Sequence, residues 1–224
     1  MALGLSTVGG GDGGGIKPYI SFNAKAGRMY RIDRVQGSDG NFSSEEHEIT
    51  DIVQFVADLA NIRVGWMHFS SQGPVRRMVT LGKEPIPARP EEKDEKGKYV
   101  FKQSFEIDLL LNKDSGGGPA RIFSSSAAMV IDAMDKLHDT YSGTPEAKAG
   151  KLPVVKVASV TPIKSAHGTN YQPTFQIVSW VDRPAALAAE GTTAPAATPP
   201  STGSTVAPPP AAVPQPAASA SDFG

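Results

Sequence analysis

Tyr99-Val100-Phe101-Lys102-Gln103-Ser104-Phe105-Glu106-Ile107-Asp108-Leu109-Leu110-Leu111 is the stretch from which the fold class is read. Phe101, Phe105, Ile107, Leu109 and Leu111 fall on one side of a period-two chain, and Lys102, Ser104, Glu106 and Asp108 on the other. That alternation predicts a strand with one buried face. Downstream, Ser115-Gly116-Gly117-Gly118-Pro119 is a turn, and Arg121 to Ser124 re-enters a sheet. Upstream, Lys83 to Lys98 is a loop, because Pro85, Pro87 and Pro90 disfavour both helix and central strand. Val75 to Leu81 is a further short strand. Ile49 to Leu59 and Ile62 to Phe69 each alternate, and the Ala60-Asn61 break between them predicts a hairpin. Arg28 to Val35 is a strand with neither face purely apolar.

One helix stands out after these strands. Ser124, Ser125 or Ser126 can cap it, Val130, Met134, Leu137 and Tyr141 form an apolar stripe at helical spacing, and Gly143 stops it. Leu152 to Thr161 and Thr174 to Val181 then form two strands joined by a polar loop, Lys164 to Tyr171. The expected fold is therefore mainly β. Several strands, one helix and two strands match an OB-type Greek-key barrel with extra strands. A β-sandwich or half-open roll with one helix fits the same periodicities.

The ends read differently. Residues 1–15 hold seven Gly among fifteen, and 21 of the 40 residues in 185–224 are Ala or Pro, with no Lys or Arg. Neither composition buries enough apolar surface to offset ordering entropy, so both ends are expected to be disordered, around one domain spanning 16–184.

Composition excludes several function classes. The chain has no Cys, hence no disulfide, thiolate zinc site or cysteine nucleophile. No apolar run approaches the ~18 residues of a membrane span, and no basic-then-apolar leader opens the chain. A cytoplasmic location, without membrane contact, is the expectation. Residues 1–184 carry 22 Lys+Arg against 21 Asp+Glu, so nucleic-acid binding would need a local basic groove rather than bulk charge.

Enzymatic signatures are weak. Gly9-Gly10-Gly11-Asp12-Gly13-Gly14 has dinucleotide-fingerprint spacing, but Ile16-Lys17-Pro18-Tyr19 after it is no helix start. His47, His68, His138 and His167 stand singly, so no paired-histidine metal site and no cofactor is expected. Asp51, Asp58, Glu106 and Asp108 are carboxylates of the type that binds Mg²⁺, but those of Tyr99–Leu111 alternate as on a solvated strand face, and that reading is preferred.

Basic and aromatic residues interleave instead. Arg28, Tyr30 and Arg34 share a strand face, with Lys25 nearby; Trp66, Phe69, Arg76 and Arg77 cluster on the second hairpin and its continuation. Arg121 and Phe123 share another face, and Lys156, Lys164, His167 and Tyr171 surround the last hairpin. Cations that track phosphates, mixed with rings that stack on unpaired bases, are the ingredients of single-stranded nucleic-acid binding. Trp66 and Trp180 lie in largely apolar strands and are expected in the core. The groove is expected to comprise Lys25, Arg28, Tyr30, Arg76, Arg77, Arg121, Phe123 and Lys156, with Tyr30 and Phe123 stacking.

The run Tyr19 to Arg28, then Val64-Gly65-Trp66-Met67, Leu152-Pro153-Val154-Val155, and Pro173-Thr174-Phe175 through Trp180 and Arg183-Pro184 resembles phage and prophage proteins. Some of these are regarded as OB-type single-stranded-DNA-binding proteins. The resemblance implies a non-enzymatic, sequence-tolerant DNA binder in phage replication or recombination, inside the bacterial host cell. Bacterial-type proteins of this kind end in an acidic, Phe-containing tip that recruits replication and repair partners. Ser221-Asp222-Phe223-Gly224 is similar, with one acid rather than several, which makes Asp222 and Phe223 the partner-binding candidates. A structural or adaptor protein of phage assembly, using the same β-domain for protein contacts, is the alternative, and edge strands leave a homo-oligomer open.

Overall fold

A computed structural model describes residues 18–36, 42–70, 73–166 and 168–188. Its strands are β1 (Tyr19–Asn23), β2 (Arg28–Gln36), β3 (Phe42–Glu48), β4 (Gln54–Ala57), β5 (Arg63–Ser70), β6 (Gly73–Thr80), β7 (Lys102–Leu111), β8 (Arg121–Ser125), β9 (Leu152–Ser165) and β10 (Gly168–Val181). Two helices, α1 (Ala128–Ser142) and α2 (Pro145–Lys148), lie between β8 and β9. The fold is mainly β, as the alternating segments predict. All ten strands belong to one sheet, ordered β10-β9-β4-β7-β8-β1-β2-β3, with β5 and β6 branching from β7. This sheet is not closed into a barrel.

β7 is the centre because its alternation is the strongest. Phe105, Ile107, Leu109 and Leu111 point into the main core together with Phe55 and Ala57 of β4, Phe123 of β8 and Val155 of β9. α1 packs its stripe of Val130, Met134, Leu137 and Tyr141 on the same core. Its N-cap is Ala127, without a side-chain cap, rather than one of the expected serines; Ser125 Oγ accepts the Ala127 N–H at 3.2 Å instead. Val56, Leu110, Leu152, Val154, Val181 and Leu187 form a smaller core on the opposite sheet face. Leu187 comes from a short turn, Ala185–Leu187, so ordered packing runs past the expected limit at 184. Of the ends expected to be disordered, 1–15 and 185–224, residues 1–15 and 189–224 lie outside the described residues.

The segments 49–59 and 62–69 do not form a hairpin. β4 and β5 follow one another along the same edge of β7: Ala57 faces Leu109 while Arg63 faces Glu106. Six residue steps on one side thus match three on the other, and a helical turn at Leu59–Asn61 absorbs the difference with Leu59 inside. β5 is then free to pair with β6, and β4 with β9. The last hairpin is longer than expected, because most of Lys164–Tyr171 continues the two strands. β10 curls toward the β1–β2 turn, where the Tyr171 N–H donates to the Ala24 carbonyl at 2.7 Å. Gly27 in that turn has φ +69°, and a Cβ there would stand 2.7 Å from the Tyr171 ring.

Candidate nucleic-acid interface

The eight expected groove residues do not form one groove. Phe123 is a correction: it is 0% exposed, edge-on to Phe105 at 5.2 Å and to Phe175 at 6.1 Å between ring centroids. Arg121 does share its face, but that face is the inside. Arg121 is 4% exposed and donates to Asp33 Oδ1 at 2.5 Å, and Arg31 Nε donates to the other Asp33 oxygen at 2.7 Å. Burial by itself would raise the Asp33 carboxyl, but the two guanidinium groups outweigh it and hold it below the usual carboxylate range. Neither Phe123 nor Arg121 can meet a nucleobase or a phosphate without unfolding this wall.

Of the β1–β2 residues, Lys25 and Arg28 are exposed, and Arg28 and Tyr30 sit beside an acid. Arg28 donates to Glu48, whose hydrogen bond and charge raise the guanidinium pKa. Half-buried Tyr30 lies directly opposite Glu48 across the β2–β3 pair. Lys25 is exposed in the turn, with its backbone N–H on Asn23 Oδ1 at 3.0 Å. Lys156 is half-buried on β9 between Gln54 and Gln176, facing the smaller core's side of the sheet. Asp222 and Phe223 lie outside the described residues, as does His167.

Arg76 and Arg77 have different surroundings. From Ile62 to Lys83 the chain contains Arg63, Arg76, Arg77, Lys83 and His68, and no Asp or Glu. This acid-free span folds as the β5–β6 hairpin. One of its faces reads in rows across β6, β5 and β7: Thr80-Arg63-Glu106, Met78-Gly65-Ser104, Arg76-Met67-Lys102, then Pro74-Phe69 at the tip. Rows lie about 7 Å apart along a strand, and partners within a row about 5 Å apart. Phe69 is 63% exposed, the largest value among the exposed large hydrophobics of the described residues. Arg76 and Lys102 flank it one row back, both exposed.

The base of this face is neutralised. Glu106, 5% exposed, accepts from Arg63 Nε at 3.1 Å and from Arg76 Nε at 2.7 Å; Arg63 also donates to Asp108 at 2.9 Å. Burial works against the Arg63 charge, and Asp108 and Glu106 more than restore it. Gly65, the middle residue of the row between Arg76 and Glu106, adds no side chain to the path between them. It also lets the two strands approach: at φ +151°, a Cβ on Gly65 would stand 2.3 Å from the Arg77 carbonyl oxygen.

On the opposite face, Arg77 pairs across from Trp66. Trp66 is half-buried and not free to stack. Its Nε1–H donates to Pro87 O at 2.8 Å, and Arg89 lies 5.3 Å over its ring. Arg77 and Lys102 make no ion pair among the described residues. Phe69 and Lys102 are the site residues that the expected groove omits. The absence of acid from 62–83 is the sequence signal that locates Phe69; Lys102 lies outside that span and joins it only through the β5–β7 pairing. No group of three or more His, Asp or Glu among the described residues is arranged to hold a metal ion, and no described helix is long and apolar enough to cross a membrane.

Comparison of the chain with protein-family models, with curated proteins and with solved structures gave no match.

Proposed function

We propose that the protein binds single-stranded DNA, without sequence preference and without catalysis, through the β5–β6 hairpin and the adjoining end of β7. The carrying observation is the acid-free hairpin that presents Phe69 at its tip, one row beyond Arg76 and the β7 residue Lys102. An exposed ring takes a stacked base, and Lys102, which has no ion pair among the described residues, neutralises a phosphate beside it, while Arg76 is held on Glu106. Arg77, on the other face of the same strand, extends the positive field around the hairpin.

Strand order supports the OB reading of the domain. Bent β4–β5, then β7, β8, α1, β9 and β10 follow the chain order of a five-stranded Greek-key barrel with its helix after the third strand. The first strand neighbours both the second and the fourth, as β4 neighbours β7 and β9. β1 and β2 occupy the place where the third and fifth strands would meet, and the Tyr171–Ala24 bond spans that gap. In this frame the tip of β5, the turn after it and β6 form an enlarged connection between the first two strands, a connection with which OB domains hold oligonucleotides. A role in phage replication or recombination, in the bacterial cytoplasm, follows from the resemblance described above.

Fluorescence titration with a labelled oligo-dT tests the reading. Affinity should fall with salt at a log–log slope of about −0.7 per neutralised phosphate. Phe69→Ala should cost roughly 1–3 kcal/mol, the worth of one stacked base, and Lys102→Ala and Arg77→Ala should each make the slope shallower. No binding at low salt, or equal affinity for duplex, would rule the function out. A structural or adaptor role is favoured by one observation, the near-balance of 22 basic and 21 acidic residues in 1–184. It predicts salt-insensitive partner binding and no response to oligo-dT.

A further inference from the structure

Among the described residues, two strands of the sheet have an edge with no strand beside it: β3 pairs there only with β2, and β6 only with β5. The third terminal strand, β10, is packed by α1 and gives its Tyr171 N–H to Ala24. Among the described residues, no backbone group of Ser43–Glu48 or Pro74–Val79 bonds to a third segment. Ser43–Glu48 and Pro74–Arg77 are exposed throughout. Bare strand edges of this length are templates for pairing with another chain.

The two edges carry opposite charge. β3 reads Phe-Ser-Ser-Glu-Glu-His-Glu, with Glu45, Glu46 and Glu48 and no Lys or Arg. β6 reads Gly-Pro-Val-Arg-Arg-Met-Val-Thr, with Arg76 and Arg77 and no acid. Like charges directly opposite one another destabilise a strand pair, so β3 against β3 and β6 against β6 are both disfavoured. β3 against β6 is matched. In antiparallel register, Arg76 opposite Glu46 puts Arg77 opposite Glu45. Consecutive residues point to opposite faces, so one pair forms on each face of the joint sheet. A one-residue slip in either direction leaves only one Arg–Glu pair.

We propose that copies of this chain associate head to tail, β3 of one copy adding to β6 of the next. The two edges are different surfaces of one molecule, so the contact is heterologous. It leaves a free edge at each end and builds rings or open lines rather than a two-fold dimer. The proposal does not rest on DNA binding, and its test contains no DNA.

Sedimentation velocity on the full chain, over a concentration series, is the test. The expected result is a mass that rises beyond two copies at low salt and returns to one copy in about 1 M salt, where screening acts within about 3 Å. The double variants Glu45→Arg/Glu46→Arg and Arg76→Glu/Arg77→Glu should each remain single copies at concentrations ~tenfold above the wild-type transition, because like charges then face each other at every contact. An equimolar mixture of the two should assemble again, since each supplies the edge the other lacks. A single-copy mass at every concentration, a limiting dimer, or no recovery in the mixture of folded variants would overturn the proposal. If circular dichroism shows that a double variant has not folded, Glu45→Arg and Arg77→Glu replace the pair. Both leave the Arg76–Glu106 contact intact, and the same three outcomes apply.

Discussion

Phe69 and Phe123 are both strand phenylalanines close to arginine, yet they face opposite consequences. Phe123 touches two other rings in the core, so Phe123→Ala should cost about 3–5 kcal/mol of stability and leave oligonucleotide affinity of the folded protein unchanged. Phe69→Ala should do the reverse, and a thermal melt run beside a DNA titration separates the two. Asp33 gives a pH signature. Arg121 and Arg31 hold its carboxyl below the ordinary 3.8, so the ionised form is favoured by folding. The stability it adds is fully present above the unfolded value, near pH 4, and is lost as pH falls through the lower native value. The melting-temperature gap between wild type and Asp33→Asn should therefore be widest near neutral pH and narrow below about pH 4. A gap that stays constant with pH would mean that the Asp33 charge contributes nothing to folding.

At the scale of elements, the β5–β6 hairpin depends on Gly65. A methyl group there meets the backbone oxygen of Arg77 at 2.3 Å, and strand backbones cannot move aside as a side chain can. Gly65→Ala should thus spread the pair, cost roughly 1–3 kcal/mol and weaken DNA binding together with hairpin protection in hydrogen exchange. α1 shows how far an element can be read from its own residues. Its stripe predicts the buried face and Gly143 its end, and both are observed. The serine cap is not, because Ser124 and Ser125 are still in β8 when the helix starts. β1 and β3 carry no comparable signal: β1 is five residues long, and β3 is polar at nearly every position. β4 and β5 do alternate, but alternation is equally compatible with a hairpin and with a bent strand. The choice between them is made by β7, whose two ends pair with β4 and β5 in turn.

For the molecule as a whole, the chain after β10 acts as a strap. Arg183 donates two bonds to the Asp58 carboxylate, at 2.5 and 2.8 Å, and a third to Leu187 O at 2.9 Å. Asp58 is buried at the β4–β5 bend, and Leu187 covers the smaller core. Arg183→Ala removes the partner of a buried charge and should cost about 3–5 kcal/mol, measured by urea denaturation. A loss below 1 kcal/mol would mean that Asp58 is satisfied from elsewhere.

The same scale separates what the residues decide alone from what they decide together. Period two in 99–111, the helical stripe in 130–141 and the absence of acid from 62–83 are local properties, and they determine the mainly β class, the helix and the basic character of 62–83, though not its pairing as a hairpin. Alternation states that a strand has two unlike faces. It does not state which face the sheet curves around, so Arg121 and Phe123 could be paired correctly from sequence and still be assigned to solvent. Nor does it state which strand lies alongside: Glu48 meets Arg28 from twenty residues away, and Arg121 meets Asp33 from eighty-eight. Those encounters are set by strand order and sheet curvature, which arise from packing the whole chain around one core, and they decide which cations are left to face a ligand.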